Sequence, residues 1–290
     1  MPLIAAAGPS LLRWHPDPAL AAAIAAMTAA FWYGVRAAQR RGAHVAPARV
    51  RYFAAAVAVL GLALLSPIAT LSEESFSVHM AEHLLLLFGV APLLAFSAPV
   101  TLALQAARSD VRRAVLLRAL ASRPVKALTH PVFTWVLFAA AMYSSHFSGL
   151  YDAALRHSLL HGLEHLLYLA SASLFWWPVI RRDPVPGLFP WPARLLYLGL
   201  AMPYQSLLGL AIYSSDTPLY PTYLAYRSRA AVIEDQHLAG AIMWVVGDVL
   251  MLLALGLVAA GWVKHEARET ERVDANLAAR RATRDHPAIN

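Results

Sequence analysis

The chain contains no cysteine among its 290 residues, so neither a disulfide nor a thiolate metal site can form. Any bound metal must be held by His, Met, carboxylate or amide groups. Charge is also sparse: Asp, Glu, Lys and Arg account for 14% of residues and hydrophobic types for 59%, against about 25% charged in an ordinary soluble domain. A soluble enzyme is thereby excluded. The apolar stretches lack the alternation of strands and are rich in Ala and Leu, so of the two structures able to span a bilayer, closed barrels and helices, helices are expected. Nothing repeats apart from two short histidine stretches, and nothing marks a second domain.

Runs long enough to cross a hydrocarbon core, which takes about 20 helical residues, lie near 18–38, 51–71, 77–104, 129–147, 153–180, 191–213 and 234–262. The expected fold is an all-α bundle of seven transmembrane helices over 1–264, followed by a polar tail over 265–290 that reads as frayed or disordered. Arginines orient it. Arg40, Arg41, Arg49 and Arg51 follow the first run, and Arg108, Arg112, Arg113, Arg118, Arg123 and Lys126 the third. Arg181, Arg182 and Arg194 follow the fifth, and Lys264, Arg268 and Arg272 begin the tail. The alternate loops, around Glu73-Glu74, Gly149–Asp152 and Asp216–Pro218, are acidic or neutral apart from Arg227 and Arg229. By the positive-inside rule the N-terminus lies outside and the C-terminus in the cytoplasm. The net charge of +7 is then a topology signal and an attraction to lipid headgroups, not a sign of nucleic-acid binding. Positive charge follows rather than precedes the Ala-rich first run, which fits an outward N-terminus better than a cleaved leader.

His79-Met80-Ala81-Glu82-His83 and His161-Gly162-Leu163-Glu164-His165 are written alike, and His157 extends the second backwards. Four residues advance a helix by about 6 Å and about 40° beyond a full turn, so each set draws a slowly drifting stripe on one face. In the expected topology the stripes occupy the outer ends of the third and fifth spans. Asp235-Gln236-His237 opens the seventh, with Met243 deeper, and His146 closes the fourth. Ionisable groups in hydrocarbon are costly and face a bundle interior where something pairs with them. Neutral imidazole suits Cu, Zn and Fe, and nearby Met80, Met142 and Met243 favour Cu(I). The candidate ligands are His79, His83, His161 and His165, with His157, Asp235, Gln236 and Met243 as weaker candidates. Glu82 and Glu164 would take the free ring N–H of ligating histidines, or bind directly.

Plainer readings stand beside these. A lone intramembrane His is more often a hydrogen-bonding core residue than a ligand. Met142, Met202 and Met243 individually read as packing, His130 before Pro131 as a helix start, and Trp176-Trp177-Pro178 with Trp191 as an interfacial aromatic belt. His15, His44, His265 and His286 carry no role. His-x-x-Glu-His is also the inverted zinc-protease signature, so a seven-helix zinc-dependent membrane hydrolase with an activated water is one alternative. A bis-His haem b membrane protein is another. Copper conduction is disfavoured, since Gln205 alone is obviously polar near mid-membrane.

In combination, His79-Met80-Ala81-Glu82-His83, Ala91-Pro92-Leu93-Leu94, Ala98-Pro99, His130-Pro131, Leu150-Tyr151-Asp152, His161-x-x-Glu164-His165, Phe175-Trp176-Trp177-Pro178 and Asp235-Gln236-x-x-Ala239-Gly240-x-x-Met243-Trp244 resemble the CtaG family of the caa3 type, over about residues 50–262. Members of that family are bacterial membrane proteins tied to cytochrome c oxidase assembly. The resemblance implies a multi-pass protein of the bacterial inner membrane that is not an enzyme. It would assist copper delivery to an oxidase, or the oxidase's maturation, with oxidase subunits or another copper chaperone as partners and copper, or alternatively zinc, as the metal. The family more often carries Gln at the position of Glu82, which weighs against that carboxylate as a ligand; His157 and His237 are also less typical.

Overall fold

In the computed structural model, residues 14, 17–184, 187 and 189–285 are described, 278–285 by backbone alone; His15 and His286 lie outside them. The described elements are all helical. Seven are long: α1 Pro18–Arg40, α2 Pro47–Leu64, α3 Phe76–Ala106, α4 Pro131–Phe147, α5 Ser158–Ile180, α6 Trp191–Tyr213, and α7, which starts at Arg229 and continues to Asp285. Of these, α1, α2, α3, α6 and α7 are long and apolar enough to cross a membrane. The other two complete the bundle: α4 is short, at 17 residues, and α5 carries His161, Glu164 and His165 among its apolar residues. Proline opens α1, α2, α4 and α6, at positions where its missing N–H has no intrahelical partner to lose. The centre of the bundle is α3, against α1, α2 and α5, with the start of α7 beside its first turns; α4 packs on α5 and α6 on α7.

Three local breaks shape this frame, each with an identifiable cause. In α3, Leu85–Val90 widens to a π-turn and Ala91 N–H reaches back to Leu86 O. The next bond in that register would need an N–H from Pro92, which has none, and the indole of Trp176 donates to the orphaned Leu87 O instead, at 2.8 Å. Trp176 is therefore buried in the core rather than lying in an interfacial belt as expected. Ala98, with φ 52°, interrupts α3 because Pro99 bars its predecessor from right-handed helical geometry. In α7, Ile242–Val246 widens where the Gln205 side chain inserts: its Nε2 donates to Met243 O at 3.1 Å, and a Cβ on Gly247 would collide with it.

α6 and α7 touch backbone to backbone. A Cβ on Gly240 would meet Tyr213 N at 2.5 Å and Gly209 O at 2.7 Å, whereas one on Gly256 meets nothing within 4 Å. Gly240→Ala is accordingly expected to destabilise by about 1–3 kcal/mol through overpacking, and exposed Gly256→Ala to be neutral or stabilising by up to about 1 kcal/mol through helix propensity. Thermal unfolding in detergent reads the difference; equal Tm values for the two variants would refute the contact.

The expected boundaries shift in three places. The second run ends at Leu64, because Ser66 caps a separate helix, Pro67–Ser72. The fifth begins at Ser158 rather than 153, because Leu150–Ala154 forms its own short helix, tied to another loop by Thr222 N donating to Asp152 Oδ1 at 3.0 Å. The tail expected as frayed or disordered instead continues α7 as helix to Asp285, largely exposed as far as Leu277. Its Ala, Arg and Glu content favours helix, and pairs such as Arg272 with Glu269 at 2.8 Å support it.

Candidate metal centre

His79 and His83 sit one turn apart on α3, both buried, with their Nε2 atoms 2.9 Å apart. His161 and His165 likewise sit one turn apart on α5, with ring centroids 4.3 Å apart, and both are half-buried. The stripes face each other: ring centroids are 5.2 Å apart for His79 and His161, 6.0 Å for His79 and His165, and 5.7 Å for His83 and His165. Ligand atoms of His79, His83 and His165 lie within 4.8 Å of one another, as do those of His79, His161 and Glu164. His79 belongs to both groups, so one pocket offers four imidazoles and a carboxylate.

The donor set is short of positive charge. Glu82 and Glu164 are 0% and 3% exposed, and among the described residues no Lys or Arg pairs with either. Glu82 Oε1 meets His165 Nε2 at 3.2 Å. Glu82 Oε2 and both oxygens of Glu164 make no well-aligned hydrogen bond, although the hydroxyls of Ser72 and Tyr168 lie beside them. Two carboxylates buried this way are costly without a cation. A metal ion on the imidazoles would supply that charge, and the 2.9 Å between the first two nitrogens is close to the edge of about 3.3 Å that a tetrahedron with bonds of about 2.0 Å would require.

The weaker candidates lie elsewhere. His157 is the exposed, extended residue before α5, off the stripe because the helix begins after it. Asp235 accepts from Phe76 N at 2.7 Å and from the hydroxyls of Ser75 and Ser77, capping α3 from a neighbouring helix. Gln236 is saturated by the loop below it: Leu219 N donates to its Oε1 at 2.8 Å, and its Nε2 donates to the carbonyls of Ser215 and Thr217, each at 3.1 Å. Met243 packs in the main core, as does Met80.

Sequence reasoning missed the site's aromatic surround. Tyr168 stands 4.4 Å from the His83 ring and bonds to Ser145; Tyr151 stands 4.9 Å from His79. Behind them is a fifth imidazole, His146, 4% exposed, whose Nδ1 donates to Met142 O at 2.8 Å and whose Nε2 makes no hydrogen bond. Above, Tyr151 OH and Tyr223 OH are 2.8 Å apart, Tyr220 OH donates to His146 O, and Phe76 packs among all three tyrosines. Burial holds the Tyr223 phenol well above its ordinary range. Of this surround only His146, closing the fourth run, was placed in advance; in the roof, Tyr220 and Tyr223 come from the connection between α6 and α7. A cleft of about 660 Å³ opens beside the pocket, with Glu82, His161 and His165 among its lining residues.

The family model described as Cytochrome c oxidase caa3 assembly factor (Caa3_CtaG) matches residues 29–265. The uncharacterized protein Mb0105 of Mycobacterium bovis is 30% identical over 275 residues, 91% of this chain and 41% of its own length. The uncharacterized protein ML1998 of Mycobacterium leprae is 30% identical over 236 residues, 78% of this chain and 36% of its own length. The chain thus spans about two-fifths of the length of these curated relatives. No solved structure matches it.

Proposed function

The chain belongs to the cytochrome c oxidase caa3 assembly factor family, and on that premise we propose that it carries copper for an oxidase during assembly. In this reading all seven long helices cross a bacterial inner membrane, the N-terminus lies outside, and the histidine pocket lies near the extracytoplasmic face. Copper is cargo, held by His79, His83, His161 and His165, with Glu82 and Glu164 balancing its charge. The partners are oxidase subunits or another copper chaperone, and the protein itself catalyses nothing. The observation that carries the reading is the convergence of four imidazoles and two buried carboxylates in one pocket, with no Lys or Arg among the described residues paired to either carboxylate.

The donor inventory also suggests how a carrier lets go. Five donors are more than a copper ion needs at once, so one imidazole can yield to a ligand of the acceptor before the others release, and the ion is never bare. Neutral imidazoles favour copper over zinc by intrinsic affinity, and the absence of cysteine removes the thiolates that would make the site very tight for either.

A zinc-dependent hydrolase is the second reading, favoured by one observation: a buried glutamate beside ligating histidines next to an open cleft. Elemental analysis and an absorption spectrum of detergent-purified protein, loaded with copper and then washed, separate the possibilities. About one copper per chain without a Soret band is expected. Tightly retained zinc that copper does not displace would overturn the copper reading in favour of the hydrolase, and a Soret band would overturn it in favour of haem.

A further inference from the structure

Along the bundle axis the histidine pocket is shut. Phe76, Tyr151, Tyr220 and Tyr223 are each at most 3% exposed, and the hydrogen bonds from Tyr151 to Tyr223 and from Tyr220 to His146 tie the roof down. The neighbouring cleft, by contrast, runs from the pocket to the flank between α1 and α5. Fully buried Glu82 lies at its floor with half-buried His161 and His165, and exposed Glu73, Arg156 and Ser158 lie at its mouth with Asp17. Its walls are aliphatic, from residues such as Leu20, Ile24, Leu60, Leu64 and Leu169.

Resting on the copper reading, we infer that this cleft is the passage through which the cation reaches and leaves the histidine pocket, sideways from the outer margin of the bundle. Charge supports a cation. Arg156 Nη1 is drawn to Asp152 Oδ2 at 2.9 Å, and the carboxylates of Asp17, Glu73 and Glu82 line the same cleft. Low-dielectric walls around charges of one sign concentrate the field and the counter-ion with it. An acyl chain in the cleft would lay the same carboxylates against hydrocarbon, which is costly. At about 660 Å³ the cleft has room for an ion together with its solvation shell or a small donor ligand. The Arg156 and Asp152 pair also joins the mouth to the roof, since Asp152 Oδ1 accepts from Thr222 N at 3.0 Å.

The test is to narrow the cleft from opposite walls while leaving the ligands in place. A Cβ on Gly162 meets nothing within 4 Å, so Gly162→Trp fills open space from α5, and Leu20→Trp narrows the cleft from α1; Gly162→Ala is the control. Purified full-length protein is loaded with Cu(I), and loading, and then release to a chromophoric chelator, are followed by stopped flow. Both Trp variants are expected to keep the wild-type stoichiometry but to load and release about tenfold more slowly or worse, the lower end of what a focused cleft adds to an on-rate, with Gly162→Ala unchanged. Wild-type rates in both Trp variants at full stoichiometry would overturn the passage and leave the metal site standing. So would loss of a co-purifying lipid with no change in rate, which would assign the cleft to an acyl chain. Failure of the wild-type protein to bind copper at all would sink the metal reading, and the passage with it.

Discussion

His79→Ala is expected to abolish copper binding, taking the purified protein from about one equivalent to essentially none, because His79 is the residue shared by both ligand groups. Loss of a peripheral ligand weakens a site; loss of the shared one removes it. The fold is expected to survive. His79 is wholly buried, but its neighbours are the rings of His83, Tyr151 and His161 rather than a tightly filled aliphatic core, so metal-free stability should fall within the range of about 0.5–3 kcal/mol typical of single substitutions. The discriminating measurement is the metal-dependent part of Tm. A ligand at about a hundred times its Kd adds about 2.7 kcal/mol to a folded state, so copper should raise the wild-type Tm and leave the variant's unmoved. His157→Ala, on an exposed residue before α5, should behave as wild type. Retention of stoichiometric copper by His79→Ala would refute the assignment.

What made His79, His83, His161 and His165 legible was their spacing. A separation of four on a helix puts two rings on one face whatever surrounds them, and the cost of imidazole in hydrocarbon sends that face inward. That the two faces meet depends on helix order, which hydropathy does not carry. The same reasoning misplaced His157, since spacing assumes an unbroken helix and the chain turns at residues 155–157. Trp176 was misread for a related reason: an aromatic near a helix end looks like a belt residue until Pro92 on another helix is seen to leave Leu87 O without a donor. Tyr220 and Tyr223 were beyond reach because they act from a loop, and loops have no periodicity to read. Asp235 was counted among the weaker ligand candidates, but its partners lie some 160 positions away in sequence, and only the tertiary structure shows that it caps the helix that carries His79 and His83.

That capping role makes Asp235 the second substitution with a large expected effect, and one that separates positioning from ligation. Ser75 precedes the first residue of α3, where a serine ordinarily caps a helix with its own hydroxyl, but its side chain makes no such bond and turns to Asp235, whose carboxylate takes over the role from α7. Phe76 N at 2.7 Å and Ser77 N at 3.4 Å both donate to Asp235 Oδ2, and a negative charge there also complements the positive end of the helix. His79 follows Phe76 by three residues, so the carboxylate fixes the start of the turn that carries the first ligand. In Asp235→Ala, two buried N–H groups and two serine hydroxyls lose their acceptor, and a loss of about 3 kcal/mol in metal-free stability is expected. Copper affinity should fall about 10- to 100-fold, as when the support of a metal ligand is removed, while the stoichiometry is recovered at excess copper. Asp235→Asn keeps one acceptor oxygen without the charge and should fall between Asp235→Ala and wild type on both measures. His79→Ala, lacking a donor, is not rescued by excess metal. Asp235 would instead be a ligand if its loss cut the saturating stoichiometry, and it would be irrelevant to the site if copper titrations of Asp235→Ala and wild type superimposed.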